Sequence, residues 1–168
     1  MKKILLATGL IALIGIGCLK NNEDDYKPCT NKSVQEEMSV MTKFATDSSI
    51  STTQDATGFL YQVIEPGTGA TPTSSSTVVA KYVGRFMDGK GFDSSYKAYP
   101  GGVEFPLNGV IPGWTLGIPK IKAGGKMKLI IPSSLAYGCA GSRNPYTGEQ
   151  IIAPNQPLYF YVELVSVK

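Results

Sequence analysis

The stretch Gly109–Lys120, "GVIPGWTLGIPK", decides how the rest of this chain is read. Pro112 suits the first position of a helix, because its missing N–H would have no partner there. Gly117 and Pro119 then limit that helix to a turn or two. So short a helix is marginal in water on its own, so it needs a sheet around it. It also carries Trp114, the only tryptophan of the chain, directly behind a Pro-Gly pair.

The flanking sequence supplies strands for such a sheet. Nineteen glycines and eleven prolines punctuate short runs of Val, Ile, Leu, Tyr and Phe, a strand-and-turn pattern. "FLYQVIEPGTG" predicts a strand running into a turn. "TVVAKYVGRF" alternates, with Val78, Ala80 and Tyr82 on one side. Asp88-Gly89 marks a hairpin. "KMKLIIP" sets Met127, Leu129 and Ile131 together, and "PLYFYVELVSV" sets Leu158, Phe160, Val162 and Leu164 on one face. No internal repeat is visible.

Towards the N-terminus the pattern changes. Lys2 and Lys3 precede an apolar run, Ile4 to Ile16, too short to span a bilayer and typical of a secretory signal. Small residues then lead to Cys18, as in a bacterial lipoprotein signal in which the cysteine is lipidated, although Gly15 stands where Leu is usual. Residues 1–17 are therefore assigned to a signal and 18–57 to a tether holding one short helix. Ser33 and Glu36 have capping-box spacing, and Val34, Met38, Met41 and Ala45 recur on one helical face. Residues 47–57 read as a Ser/Thr-rich linker, and 58–168 as the main domain.

Charge and cysteines narrow the function. Sixteen basic residues face thirteen acidic ones, and without the signal's two lysines the chain is close to neutral, so nothing points to nucleic acid. In an exported protein Cys29 and Cys139 are left either as two free thiols or as a clip tying the N-terminal segment to a distal loop.

The chain has no histidine, which removes His-based triads, the usual catalytic zinc sites and His acid–base chemistry. Phosphate-loop and nucleophile-elbow motifs are absent as well. No metal site or cofactor is expected. A Ser133/Ser134 dyad with Lys126 or Lys128, and a carboxylate pair drawn from Asp88, Asp93 and Glu104, remain weaker options than solvent-facing or turn roles for those residues.

Four stretches taken in order, "KYVGRFMDGKGFDSS", "EFPLNGVIPGW", "KMKLIIPSSLAYG" and "IIAPNQPLYFYVEL", resemble the FK506-binding-protein class of peptidyl-prolyl cis-trans isomerases over about residues 58–168. The resemblance implies an α+β fold, an antiparallel sheet wrapped around one short helix, with the N-terminal helix as an extension. It also implies a pocket made of Tyr82, Phe92, Asp93, Val103, Phe105, Val110, Ile111, Trp114, Tyr137, Ile152 and Phe160. Trp114 would be the floor and Tyr82, Phe92 and Phe160 the walls. Asp93 would lie at the edge, near the reacting carbonyl, unless it caps the turn at Ser94-Ser95. The Ile111 N–H and the Tyr137 hydroxyl would bind substrate carbonyls.

The chemistry implied needs no nucleophile. Rotation about a peptide bond is opposed by about 18–20 kcal/mol of lost resonance, and no covalent bond forms or breaks. The expected substrates are X-Pro segments of exported polypeptides, with macrolides of the FK506 or rapamycin type as possible ligands. The expected setting is the cell envelope, at the outer membrane through an N-terminal lipid, as a monomer. A peptide-binding or chaperone lipoprotein on the same fold is the alternative. Two departures from the family stand out. Ala98 occupies the place of an arginine that many relatives pair with the pocket aspartate. The loop 141–151 is longer than in compact relatives and is expected to overhang the pocket.

Overall fold

A computed structural model describes residues 28–168; the signal, Cys18 and most of the acidic tether lie outside the described residues. The elements are α1 (Val34–Asp47), β1 (Thr53–Gln54), β2 (Leu60–Glu65), β3 (Thr77–Phe86), β4 (Gly91–Ser94), β5 (Val103–Pro106), α2 (Pro112–Gly117), β6 (Lys126–Ile131), β7 (Ser142–Arg143), β8 (Gln150–Ile152) and β9 (Leu158–Val167). The main sheet runs β1-β2-β6-β9-β3-β4, and every pairing in it is antiparallel. β5 joins the N-terminal half of β3, from Thr77 to Ala80, beside the stretch that pairs with β4. β7 and β8 form a separate small hairpin.

The period-two alternation of β6 and β9 gives the sheet two working faces. Met127, Leu129 and Ile131 and, from β9, Leu158, Phe160, Val162 and Leu164 pack with Trp114, Ile118 and Ile121 around α2. The two glycines of α2 let it lie close. A Cβ on Gly113 would stand 2.5 Å from Ile131, and one on Gly117 2.8 Å from Leu129. These contacts with the sheet hold a six-residue helix that isolated propensity would not.

The opposite face is covered by α1. Met41, Phe44, Ala45 and Ile50 pack on Leu60, Ile130 and Tyr159, with Phe44 and Tyr159 ring centroids 5.2 Å apart. Ser33 caps the helix and exchanges both bonds of a capping box with Glu36, which satisfies two otherwise orphan donors. Val34 and Met38 lie at the margin of the buried stripe; Glu37 and Phe44, which the sequence pattern did not select, are inside it.

Residues 47–57 are not a free linker. Ile50 is buried in the α1 cluster, Thr53–Gln54 adds a strand to the edge of the sheet, and Asp55 pairs with Lys120 at 2.8 Å. Their Ser/Thr-rich composition hides this, because one buried isoleucine and a two-residue strand leave no period to detect.

Candidate functional site

The N-terminal end of α2 and the sheet enclose a cavity of about 550 Å³, within the usual range for small-ligand pockets. It is lined by residues from β3, β4, β5 and β9, by the run Gly109–Pro112, by Trp114, and by Ala136 and Tyr137 from the turns after β6. Trp114 is 5% exposed and forms the floor. Its ring meets Tyr82 at 5.0 Å and Phe160 at 5.1 Å, both edge to face, and Phe105 at 5.3 Å. Phe92 stands edge-on to Phe160 at 5.7 Å. Aromatic pairs at these distances favour such tilted arrangements and hold one another in place.

Gly84 makes that packing possible. It lies between Tyr82 and Phe86 on β3, opposite Phe160 on one neighbouring strand and Asp93 on the other. A Cβ there would approach Phe92 to 2.7 Å and Phe160 to 3.0 Å. The glycine leaves the space that both rings occupy.

One polar pair is set into this apolar cup. The Tyr82 hydroxyl donates to Asp93 Oδ2 at 2.8 Å. Burial, and then the bond to Asp93, pushes the Tyr82 phenol well above its ordinary pKa of about 10, so it remains a neutral donor. The backbone fixes the pair: the Tyr82 N–H donates to Ser95 Oγ at 2.9 Å and the Ser95 N–H returns to the Tyr82 carbonyl at 3.1 Å. Asp93 thus points into the cavity, and its turn-capping alternative at Ser94-Ser95 is not formed. With Ala98 in place of an arginine, the hydrogen-bond partner of Asp93 among the described residues is Tyr82.

The other anchors follow from local structure. Ile111 precedes α2, and its carbonyl accepts from the Trp114 N–H at 2.9 Å. Its own N–H has no acceptor among the described residues, which leaves a donor at the cavity. Tyr137 is 39% exposed; burial of its ring raises its phenol pKa. The Trp114 indole N–H is buried without a partner among the described residues.

Of the eleven residues named from the sequence, ten line this cavity: Tyr82, Phe92, Asp93, Val103, Phe105, Val110, Ile111, Trp114, Tyr137 and Phe160. Ile152 does not. It is 3% exposed in the main core, because its pairing with Ser142 in the β7–β8 hairpin turns the side chain inward. Gly109, Pro112 and Ala136 line the cavity and were not named. All three sit inside the stretches that carry the resemblance.

The loop 141–151 contributes no lining residue either; it is folded into the β7–β8 hairpin beside the β3–β4 turn, where Gln150 and Ile151 face Phe86 and Asp88. The competing constellations are occupied otherwise. Ser133 bonds to Glu37, Lys126 to Glu65, Asp88 to Lys90 and Glu104 to Lys168.

The family model described as FKBP-type peptidyl-prolyl cis-trans isomerase matches residues 69–165. The chain belongs to that family. As an FKBP-type chain it is 49% identical over 127 residues to the FKBP-type peptidyl-prolyl cis-trans isomerase FkpA of Escherichia coli K12. That alignment covers 75% of this chain and 43% of the relative. It is 40% identical over 111 residues to the outer membrane protein MIP of Legionella longbeachae, covering 66% of this chain and 45% of that protein. The chain thus spans less than half the length of these relatives.

Among solved structures, FkpA from E. coli superposes with a TM-score of 0.66 at 42% identity, covering 80% of this chain and 61% of that one. A peptidyl-prolyl isomerase from Pseudomonas syringae gives 0.64 at 33% identity, covering 83% of this chain and 98% of that one. The FKBP-like α+β architecture, with the N-terminal helix added, is therefore that of known FKBP-type isomerases.

Proposed function

We propose that this chain is a peptidyl-prolyl cis-trans isomerase that assists the folding of exported proteins. The observation that carries this is the aromatic cup itself: three rings against Trp114, Phe92 edge-on to one of them, and a single Tyr82–Asp93 pair at its wall. A proline ring fits over the indole. The planar, strongly solvated imide loses water on entry, whereas the twisted transition state has less resonance and less need of water. Binding that favours the twisted form lowers the barrier without any covalent step.

Tyr82, Phe92, Asp93 and Phe160 act on the reacting imide. Val103, Phe105, Val110 and Trp114 hold the proline and its neighbours. The Ile111 N–H and the Tyr137 hydroxyl donate to substrate carbonyls. Ile152 supports from the core, without touching substrate.

The substrates are X-Pro segments of exported polypeptides, and macrolides of the FK506 or rapamycin type compete for the cup. The envelope setting is supported by the relative named as an outer membrane protein and by the lipoprotein-like start of the sequence. On this reading a lipid on Cys18 anchors the chain at the outer membrane, and the protein acts as a monomer. Conversion of Leu-Pro and Phe-Pro peptides by the purified chain tests the activity: acceleration that a macrolide abolishes is expected, and solvent-rate conversion would overturn it. Cys18→Ser is expected to move the protein from the membrane fraction to the soluble one.

A further inference from the structure

The cavity wall formed by Ala136 and Tyr137 packs on the main core through Leu135 and Ala136 but is not paired into the main sheet. It belongs to a bridge between β6 and β7 built from two single turns, Ser133–Leu135 and Gly138–Ala140. Backbone bonds within the bridge are local to these turns, from Leu135 to Pro132, Ala136 to Ser133, and Gly141 to Tyr137. Apart from core packing and one backbone bond from Asn155, its fastenings lead to the N-terminal segment, at both ends of the cavity wall.

At the Ser133 end, Glu37 of α1 accepts the Ser133 backbone N–H at 2.7 Å and its hydroxyl at 2.6 Å. Both residues are buried, at 2% and 0% exposure, so the bonds form where water does not compete. At the other end, Cys139 is disulfide-bonded to Cys29, and its backbone N–H donates to Asn31 Oδ1 at 2.7 Å.

Asn155 closes the second side. Its Oδ1 accepts from the Lys32 N–H at 3.0 Å, its Nδ2 donates to the Thr30 carbonyl at 3.2 Å, and its N–H donates to the Gly138 carbonyl at 2.9 Å. Gly138 has φ +59°, and a Cβ on it would stand 2.7 Å from Asn31 Oδ1, so this close approach requires glycine.

From this geometry we infer that Asn31 and Glu37 are positioning residues: they hold the Ser133–Cys139 bridge at both ends and so set where the Tyr137 hydroxyl meets substrate. Neither residue touches the cavity, and both precede the stretch, 69–165, that the family model matches. The N-terminal extension thereby becomes part of the active-site support. This inference rests on the isomerase assignment for its kinetic readout and on cavity binding for a second, independent one.

The test compares Asn31→Ala with Asn31→Asp, and Glu37→Ala with Glu37→Gln, in the full chain, each with and without Tyr137→Phe. Losing a clamp bond is expected to raise KM for a Leu-Pro peptide about 3- to 10-fold, the worth of one hydrogen bond, with a smaller change in kcat. The conservative partners, which keep an acceptor, are expected to restore most of it. In the Tyr137→Phe background the same substitutions should add little, since coupled residues are non-additive.

Equal losses in both backgrounds, or no loss at all, would overturn the inference. Fluorescence of the single Trp114 gives peptide affinity for every variant without catalysis. If the wild-type chain bound peptide but did not turn it over, the isomerase assignment would fail, and the same comparison of affinities would still decide the clamp. Should one alanine variant not fold, the other, at the opposite end of the bridge, carries the comparison, and non-additivity with Tyr137→Phe remains the criterion.

Discussion

Gly84 and Tyr82 sit two residues apart on β3 and make opposite demands on the cavity. A methyl on Gly84 would overlap Phe92 and Phe160, and overpacking of this kind typically costs about 1–3 kcal/mol. Because the rings that must move are cavity walls, the cost falls on binding. Gly84→Ala is expected to raise KM for X-Pro peptides about tenfold or more, read in the same coupled assay as wild type. An unchanged KM would mean that Phe92 has no fixed role. Tyr82 makes its contribution as a neutral donor. Its folded pKa is raised, so the protonated form persists in the fold above about pH 10, where an exposed tyrosine ionises. The stabilisation it gives is complete below that pH and is lost as pH rises through the folded value. The expected kcat/KM profile shows no fall centred at about pH 10, where the ordinary phenol titrates, and a fall there would refute the protected hydroxyl. The aromatic lining was legible only through the family resemblance, which assigns Tyr82, Phe92, Trp114 and Phe160 jointly to one cavity; each ring taken alone reads as core. The role of Gly84 was not legible, since a strand glycine looks the same whether it marks a bulge or makes room for two rings. Ile152 was misplaced for the converse reason: an apolar residue beside the cavity in sequence order can still turn inward once a hairpin forms.

The turn before β2 ties two distant elements together through Asp55. Its carboxylate accepts from Lys120, from the Thr57 N–H and from the Thr57 hydroxyl, which together hold its pKa at about 2. Lys120 in turn lies 4.7 Å from the ring centroid of Tyr61 and 5.6 Å from that of Phe59. An aspartate pKa depressed in the fold stabilises it above the ordinary carboxylate range, and that stabilisation is lost as pH falls towards about 2. Thermal midpoints of wild type and Asp55→Asn are therefore expected to differ at about pH 6 and to converge near pH 2; a constant gap would mean that the pair contributes nothing ionic. α2 makes a second claim. Gly113→Ala would lift the helix off Ile131 and is expected to lower stability by about 1–3 kcal/mol in urea unfolding. The short helix and its limits were readable from Pro112, Gly117 and Pro119. The packing role of the two glycines was not, because it depends on which strand residues come to lie beneath them. The segment before β2 misled because its contacts are sparse: one buried isoleucine, a two-residue strand and one ion pair to the distant Lys120 leave no period to detect.

Considered as a single body, the chain has its sheet covered on both sides, by α2 within the family region and by α1 outside it. The lower cover is fastened by the Cys29–Cys139 disulfide, which closes a loop across 110 residues. A cross-link over so long a stretch restricts the unfolded chain strongly and typically contributes about 2–4 kcal/mol. The apolar contacts of Met41, Phe44, Ala45 and Ile50 with Leu60, Ile130 and Tyr159 do not depend on the bridge, so α1 should stay seated when the bridge is cut. Cys29→Ser is thus expected to lower the free energy of unfolding by about that amount while leaving the far-ultraviolet spectrum unchanged. Removing residues 1–47 is a different perturbation, because it uncovers Ile130 and Tyr159 and takes away Glu37 from Ser133. That truncation is expected to bind a hydrophobic dye and to aggregate on warming, whereas Cys29→Ser does neither. A truncated chain as stable as wild type, with no dye binding, would show that the sheet needs no cover on that face. The distinction follows from where the free energy resides: the disulfide acts chiefly on the unfolded ensemble, and the helix acts on the folded surface.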